Sequence, residues 1–258
     1  MYDSNSLTPR GPSSKQNQTV LFYSNDFTQF CKSLEQWGHL RSWDHVPFAD
    51  ELRQLLPADL PFREACIAGA ARHLDLIVEA NRHFNLTRIV DPREAAIKHV
   101  VDSVLPWRLF LGADHVADAG SGAGFPGIPL ALVLPQTRFT LLDSTQKKAR
   151  FLESVVRELK LPNVEVRAER AEEWLNTHRV AIVTARAVAP LNRAASLFAP
   201  ALRGGARVLL YKGPDAVTEI AEAAPETAKR QLRMCIIERY ELPDALGTRT
   251  IVEMKRVG

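Results

Sequence analysis

A glycine-rich turn between an apolar run and a helical pattern constrains the fold of this chain more than any other feature. The run at residues 116–119 leads directly into Gly120-Ser121-Gly122-Ala123-Gly124, and Phe125-Pro126-Gly127 then opens a helical pattern. Glycines let the backbone turn sharply and approach a ligand closely, and a helix N-terminus directs unpaired N–H groups at a negative group. Residues 116–132 are therefore predicted to form a turn that holds a nucleotide-type cofactor.

Short apolar runs alternate with helical patterns after residue 112, which is typical of βαβ units and a parallel sheet. The clearest helical pattern covers residues 146–159, with one apolar and one charged face. Another covers residues 193–202 and closes at Gly204-Gly205. Five parallel strands are predicted, at residues 116–119, 139–142, 164–167, 180–184 and 207–211.

The last two apolar runs, at residues 234–240 and 250–255, have no helical pattern between them. They are predicted to pair as an antiparallel edge of the same sheet. The sequence therefore predicts an α/β fold whose Rossmann-like sheet is mostly parallel and carries an antiparallel terminal strand.

The residues before this sheet divide into a polar tail and a helical lead-in. Residues 1–19 contain scarcely an apolar side chain, cannot offset their own ordering entropy and are predicted to be a disordered tail. Residues 20–111 are interpreted as an N-terminal extension and helical lead-in, and residues 112–258 as the Rossmann-like domain. Within the lead-in, helical spacing covers residues 62–84, and a second helix is predicted to begin at Asp91-Pro92.

Composition argues against a membrane protein and leaves the partner open. Hydrophobic residues make up 46% of the chain and charged residues 24%, which is the ordinary range of globular proteins. No run reaches the roughly 18 consecutive apolar residues of a membrane span. The three cysteines lack the C-x-x-C spacing of metal sites, so a cytoplasmic protein without a metal is expected. A net charge of +3 is compatible with a nucleic-acid partner but does not establish one.

The glycine turn fits two different nucleotide cofactors. Gly122-x-Gly124-x-x-Gly127 satisfies the dinucleotide motif G-x-G-x-x-G. The pattern G-x-G-x-G directly after the strand, with Asp118 two residues before Gly120, instead favours S-adenosylmethionine, whose carboxylate would meet the helix N-terminus. A purely structural turn is the third interpretation. The turn alone does not choose between these three.

Polar residues at the ends of the next three strands are candidates for binding cofactor or substrate. Asp143 ends the second strand roughly 20 residues past Gly120, where a carboxylate meets ribose hydroxyls, although it could instead cap the following helix. Ala171-Glu172 follows the third strand and can contact an adenine edge, or simply begin an exposed helix. Arg186 ends the fourth strand, where it can contact the cofactor, hold guanine O6 by hydrogen bonds or serve as a structural surface residue.

Charged residues elsewhere are weaker candidates. His99 and Asp102 share one helix face, and a hydrogen bond from this helix to the rest of the domain is preferred over an acid–base pair, so neither receives a catalytic role. Candidates for phosphate contacts, if they converge around the pocket, are Arg82, Arg88, Lys98, Lys147, Lys148, Arg150, Arg193 and Lys212.

Seven short strings stand in one order along the chain. They are Asn85-Leu86-Thr87, His99-Val100-Val101-Asp102-Ser103, the unbroken turn from Asp118 to Pro129, Leu141-Leu142-Asp143-Ser144 with Lys147-Lys148, Arg170-Ala171-Glu172, Thr184-Ala185-Arg186-Ala187, and Lys212-Gly213. In this order they resemble the 16S ribosomal RNA guanine-N7 methyltransferases of the RsmG (GidB) type. An ordered set of this length is much more specific than one glycine motif, and it leaves the first sixty or so residues unmatched.

The resemblance implies a class I methyltransferase fold that uses S-adenosylmethionine. The residues then expected to contact the cofactor are Gly120, Gly122, Phe125, Ala171, Glu172 and Arg186, with Asp143 on the ribose. The partner implied is 16S ribosomal RNA or the small ribosomal subunit, with the enzyme acting as a cytoplasmic monomer.

The resemblance also implies transfer of a methyl group to N7 of a guanine, at the guanine 527 type of position. Guanine N7 carries an in-plane lone pair and can attack the methyl group directly, so catalysis would rest on alignment and desolvation. No catalytic residue is assigned beyond a substrate-positioning role for Arg186. Three alternatives stay open at this point: a methyltransferase for another RNA, an NAD-dependent oxidoreductase, and a non-catalytic RNA-binding factor.

Overall fold

The structure, a computed structural model, describes residues 47–89 and 91–257. The predicted disordered tail at residues 1–19 and the start of the extension lie outside the described residues. Within the described part, the lead-in is helical, as the sequence predicts for residues 62–84 and for the helix after Asp91. Its helices are α1, Pro47–Leu55; α2, Arg63–Asn81; and α3, which comprises Pro92–Ala95, the π-helical turn Ala96–Val101 and Asp102–Val104, followed by a 3-10 turn at Trp107–Phe110.

Helix α3 begins where the sequence predicts it. The Asp91 side chain accepts a hydrogen bond from Glu94 N at 2.9 Å, which satisfies one of the unpaired N–H groups of the first turn. Pro92 at the first helical position needs no hydrogen-bond acceptor. The π-helical turn in the middle of α3 is not predicted, and turns of this kind often stand at functional sites.

Seven strands form one sheet, in the order β3-β2-β1-β4-β5-β7-β6. The strands are β1, His115–Ala119; β2, Arg138–Leu142; β3, Val164–Arg167; β4, Ile182–Arg186; β5, Arg207–Lys212; β6, Leu232–Glu241; and β7, Thr248–Arg256. The first five are parallel, as predicted, and β6 pairs antiparallel with β7. Strand β7 inserts between β5 and β6 and pairs antiparallel with both, so β7 alone runs against the others.

Helices connect the strands. They are α4, Gly127–Val133; α5, Gln146–Glu158; α6, Ala171–Thr177; α7, Leu191–Leu197; α8, Ala199–Arg203; and α9, Ala216–Lys229. The single helix predicted over residues 193–202 is wrong, because the chain breaks at Phe198 into α7 and α8. Pro200 explains the break, since it has no N–H for the preceding turn and its ring crowds that turn.

The two faces of the sheet are buried by different helices. Side chains such as Val116 and Phe139 pack with α1 to α5 on one face, whereas Ala117 and Leu142 pack with α6 to α9 on the other. This alternation follows the two-residue period of strands. Strand order reverses between β1 and β4, and ligands of open α/β sheets bind at the carboxyl ends of the strands beside such a switch point.

Candidate functional site

The glycine turn is fixed to the neighbouring strand by backbone hydrogen bonds. Gly120 N and Ser121 N both donate to the carbonyl oxygen of Leu142, at 2.8 and 3.0 Å. Gly120 and Gly122 have φ angles of +69° and +60°, a region that glycine occupies without strain. The turn therefore lies where β1 and β2 both end.

Asp143 closes the same edge from the side of β2. One carboxylate oxygen accepts from Gly122 N at 3.0 Å, and the other accepts from Thr145 N at 2.8 Å, just before α5. Asp143 therefore orders the turn before α5 but does not cap the helix, whose N-cap residue is Thr145. Each carboxylate oxygen keeps acceptor capacity beyond these bonds, so the same side chain can also meet hydroxyl groups.

Asp118 lies beneath the turn and is fully buried. Its Oδ2 accepts from Gly127 N at 3.0 Å at the start of α4, while its Oδ1 has no hydrogen-bond partner among the residues that the structure describes. Burial raises the pKa of this carboxyl group from 3.8 to about 7. The side chain therefore ties the helix to the strand instead of facing solvent.

An open cleft of about 1120 Å³ runs along the carboxyl ends of β1, β2 and β4. Its walls contain five of the seven residues that the sequence nominates for cofactor binding, namely Gly120, Asp143, Ala171, Glu172 and Arg186. Gly122 and Phe125 are not in the walls. Gly122 is partly buried and bonds through its N–H to Asp143, and Phe125 is buried behind the turn.

Phe125 belongs to an aromatic stack between the turn and the lead-in helices. Its ring lies 4.6 Å from that of His99 in nearly parallel orientation and 4.8 Å from that of His73, and the Arg186 guanidinium carbon lies 5.4 Å from its centre. Burial lowers the pKa of His73 to about 4 and that of His99 to about 3. Both imidazoles are therefore neutral at pH 7, and His73 Nε2 donates to Ala123 O at 2.7 Å.

Arg186 connects the cleft to helix α3. Its Nη1 donates to the Lys98 carbonyl at 2.8 Å and to Asp102 Oδ2 at 3.2 Å. The sequence-based preference for a bond between this helix and the rest of the domain is confirmed for Asp102. His99 does not pair with Asp102, because its Nε2 lies 3.1 Å from Thr87 Oγ1 instead.

Comparisons with known proteins decide between the alternatives for this cleft. The sequence model of the rRNA small subunit methyltransferase G family matches residues 67–245. The Ribosomal RNA small subunit methyltransferase G of Solibacter usitatus is 74% identical over 210 residues, covering 81% of this chain and 100% of the relative. The protein of the same name from Carboxydothermus hydrogenoformans is 39% identical over 194 residues, covering 72% of this chain and 81% of the relative.

The chain belongs to the rRNA small subunit methyltransferase G family. It is therefore an S-adenosylmethionine-dependent methyltransferase, as predicted, and the oxidoreductase and non-catalytic alternatives are wrong. Among solved structures, an O-methyltransferase from Bacillus cereus matches with a TM-score of 0.50 at 17% identity, covering 86% of this chain and 98% of that one. This last likeness concerns the fold alone.

The residues of the cleft fit the cofactor of this family. One edge of the sheet carries three suitable features. They are the Asp143 carboxylate with spare acceptor capacity, Gly120 and Gly122 in left-handed conformation, and the Arg186 guanidinium with unused donors. Close approach of a ligand to the turn is also possible, because a Cβ added at Gly122 would meet nothing closer than 3.8 Å. At Gly120 an added Cβ would lie 2.8 Å from Val188 Cγ2, so the loop after β4 packs directly on the turn.

The basic residues nominated for phosphate contacts do not converge as one group. Lys148 and Arg193 line the cleft. Lys98 pairs with Glu94 at 2.7 Å, and the ammonium group of Lys147 stacks on the Phe84 ring at 4.2 Å. Lys212 pairs with Glu219 at 2.6 Å beside the loop after β4.

Sequence reasoning missed the loop after β4 and the partners of Asp102. The loop residues Ala187, Val188 and Ala189 line the cleft, and Val188 is 39% exposed. Their only sequence signal is their position, directly after a predicted strand of a parallel sheet, where functional loops stand. Arg249 and Tyr240, which contact Asp102, carry no local signal at all.

Over residues 47–89 and 91–257, no group of three or more His, Cys, Asp or Glu side chains could hold a metal ion. In the same ranges, every helix is too short or too polar to cross a lipid bilayer.

Proposed function

We propose that this chain transfers a methyl group from S-adenosylmethionine to N7 of a guanine in 16S ribosomal RNA, at the guanine 527 type of position. The observation that carries this proposal is the 74% identity to a protein named Ribosomal RNA small subunit methyltransferase G, which is matched over the whole length of that relative. The match covers 81% of this chain and all of the relative. Selection of guanine N7 rests on the resemblance of the ordered strings.

The cofactor is held at the edge shared by β1, β2 and β4. Asp143 accepts hydrogen bonds from the ribose hydroxyls with the acceptor capacity that Gly122 and Thr145 leave. Ala171-Glu172 meets the adenine edge from the opposite wall, and Gly120 brings the backbone close to the ligand. When bound, the cofactor supplies a methyl group activated by a positively charged sulfur.

The target guanine is held so that N7 stays free. Arg186 uses only Nη1 for Lys98 and Asp102, and its Nε and Nη2 have no hydrogen bond to residues in the described ranges. These donors can contact the bound cofactor and can also bind guanine O6, which is next to N7 on the same base edge. N7 needs no base to remove a proton, so positioning by Arg186 and exclusion of water by the Val188 loop account for catalysis.

The RNA backbone is bound by basic side chains in the walls of the cleft. Lys148, Arg170 and Arg193 stand there among acidic residues such as Glu169 and Glu222, and the chain carries a net charge of +3. Phosphate contacts of this kind fix the position of a nucleic acid without reading its sequence. A monomer acting on the small ribosomal subunit in the cytoplasm completes the proposal.

The test is methyl transfer from labelled S-adenosylmethionine with purified protein. Substrates are small ribosomal subunits that lack the modification, naked 16S ribosomal RNA and unrelated RNA of equal length. We expect N7-methylguanosine at one position of 16S ribosomal RNA. Label in another RNA, at another atom, or in none of the three substrates would contradict the proposal.

A further inference from the structure

A buried charge cluster joins the helical lead-in to the catalytic sheet, with Asp102 of α3 at its centre. Asp102 Oδ2 lies 3.2 Å from Arg186 Nη1 on β4, and Oδ1 lies 2.8 Å from Arg249 Nε on β7. Tyr240 on β6 donates to Oδ1 at 3.2 Å and to the Asp102 carbonyl at 3.0 Å. One carboxylate is thus contacted from three strands.

This arrangement is more than a surface ion pair. Asp102 is 0% exposed, and the side chains of Arg186 and Arg249 are 17% and 22% exposed. A buried carboxylate is costly unless cations and donors compensate it fully, so its position is closely determined by its partners. The carboxylate in turn determines the positions of the Arg186 and Arg249 guanidinium groups, because both are bonded to it.

Arg186 is the member of the cluster that reaches the cleft. Both acceptors of its Nη1, the Lys98 carbonyl and Asp102 Oδ2, belong to helix α3, and its guanidinium lies over the ring of Phe125. Nothing else among the described residues hydrogen-bonds to this guanidinium. The direction of its unused donors is therefore set by α3 and not by the strand on which Arg186 stands.

We infer that Asp102 is a positioning residue of the methyltransferase: it fixes the Arg186 guanidinium so that the unused Nε and Nη2 donors face the ligands in the cleft. Asp102 contacts no ligand itself and acts through Arg186. The inference rests on the proposed function only for the identity of the RNA. The lead-in helices are thereby part of the catalytic apparatus and not only a cover for the sheet.

A double-mutant cycle between Asp102→Asn and Arg186→Gln separates this role from a merely structural one. The turnover number for methyl transfer to small ribosomal subunits is measured per cofactor site, counted by titration with S-adenosylhomocysteine, so unfolded protein does not contribute. We expect Asp102→Asn to lower kcat about tenfold in the wild-type background, because misplacement of about 1 Å costs this much or more. In the Arg186→Gln background the same substitution changes kcat less than about twofold.

The same cycle is run on the dissociation constant of S-adenosylhomocysteine, a measurement that needs no RNA. We expect Asp102→Asn to raise this constant about threefold, and only where Arg186 is present. If the wild type methylates no ribosomal RNA, the proposed function fails while this second cycle still tests the inference. Equal effects of Asp102→Asn in both backgrounds, or no effect in either, would overturn it.

Two further variants control the interpretation. Asp59→Asn removes an exposed carboxylate of the lead-in, which pairs with Arg108 outside the cleft, and is expected to leave kcat unchanged. If Asp102→Asn does not fold, Tyr240→Phe takes its place in the cycle, because it removes one donor to Asp102 and leaves the ion pairs intact. A smaller loss of kcat, of about threefold and dependent on Arg186, supports the inference, whereas a loss independent of Arg186 refutes it.

Discussion

The glycine turn and the Asp102 cluster both place carboxylates at the carboxyl edge of the sheet, yet they are built in opposite ways. In the turn, Asp118 and Asp143 accept from backbone N–H groups 9 and 21 residues away. In the cluster, Asp102 accepts from side chains 84, 138 and 147 residues away. The turn is a local motif, whereas the cluster exists only once the sheet and the lead-in have packed together.

This difference assigns distinct tasks to the two regions. Backbone donors are fixed by the turn geometry and suit a cofactor that every member of the fold must hold. Side-chain cations assembled from α3, β4 and β7 can instead orient one guanidinium for a particular substrate. We therefore expect cofactor affinity to depend more on Asp143 of the turn than on the cluster, and turnover to depend on the cluster.

The largest expected effect concerns the pH dependence that Asp118 causes. Because burial raises its pKa from 3.8 to about 7, the folded protein keeps a proton between about pH 4 and pH 7 that the unfolded chain has lost. Raising the pH through this window therefore lowers the stability, by at most about 4 kcal/mol. Asp118→Asn keeps an acceptor for Gly127 N and removes the titration.

The measurement is the free energy of unfolding of both proteins from about pH 4 to about pH 8. His73 and His99, whose pKa values burial lowers, make stability rise with pH up to about 6.5 in both proteins, so they cancel in the difference. We expect the wild type to lose stability relative to Asp118→Asn as the pH rises, until about pH 7. If the difference in free energy of unfolding between the two proteins does not depend on pH, the pKa of Asp118 is not raised.

The next effect is on cofactor affinity through Asp143. Asp143→Ala removes a charged acceptor that serves two backbone N–H groups and, in the proposed complex, the ribose hydroxyls. We expect the dissociation constant of S-adenosylhomocysteine to rise about a hundredfold in calorimetry. Asp50→Ala, which removes an exposed acid of α1, is the matched control. Unchanged affinity in Asp143→Ala would remove the ribose assignment.

The next prediction concerns the contribution of the Asp102 cluster to the free energy of unfolding. Arg249→Gln leaves Asp102 with one cation instead of two, and we expect the free energy of unfolding to fall by about 2 kcal/mol. Arg108→Gln, which breaks the exposed pair with Asp59, should cost less than about 1 kcal/mol. Chemical denaturation measures both, and equal losses would mean that the cluster is energetically an ordinary surface pair.

The smallest effect is expected at the rim of the cleft. Arg193→Gln should weaken binding of 16S ribosomal RNA a few-fold at low salt and reduce the slope of log affinity against log salt by about one. Filter binding over a range of salt concentrations measures this. If Arg193→Gln leaves the slope at the wild-type value while Arg108→Gln lowers it, the RNA contacts a different face of the protein.

Sequence reasoning succeeded where contacts are local. The five parallel strands, the antiparallel edge and the start of α3 at Asp91 follow from period, turn chemistry and capping, all of which lie within a few residues. Five of the seven residues predicted to bind the cofactor lie together, because the ends of parallel strands meet at one side of a sheet, and their contact with the cofactor stays a prediction.

Other features could not be predicted from the sequence, because they depend on contacts between distant parts of the chain or on single residues. Helix α1 lies in the N-terminal extension, where no helix was predicted, and the break at Phe198 depends on one proline inside an otherwise helical pattern. Arg249 reaches Asp102 because β7 lies between β5 and β6 in the sheet. No local sequence pattern predicts this strand order. The packing of the Phe125 ring against His73 and His99 likewise depends on the lead-in helices meeting the turn, and its predicted contact with the cofactor stays a prediction.

The most direct test of the whole account is a map of N7-methylguanosine in 16S ribosomal RNA from cells with and without this protein. We expect one methylated guanine, at the 527 type of position, that disappears when the protein is deleted. It should return with the wild-type protein and not with Asp143→Ala. Persistence of that methyl group in the deletion strain, or loss of a methyl group from a different RNA, would contradict it.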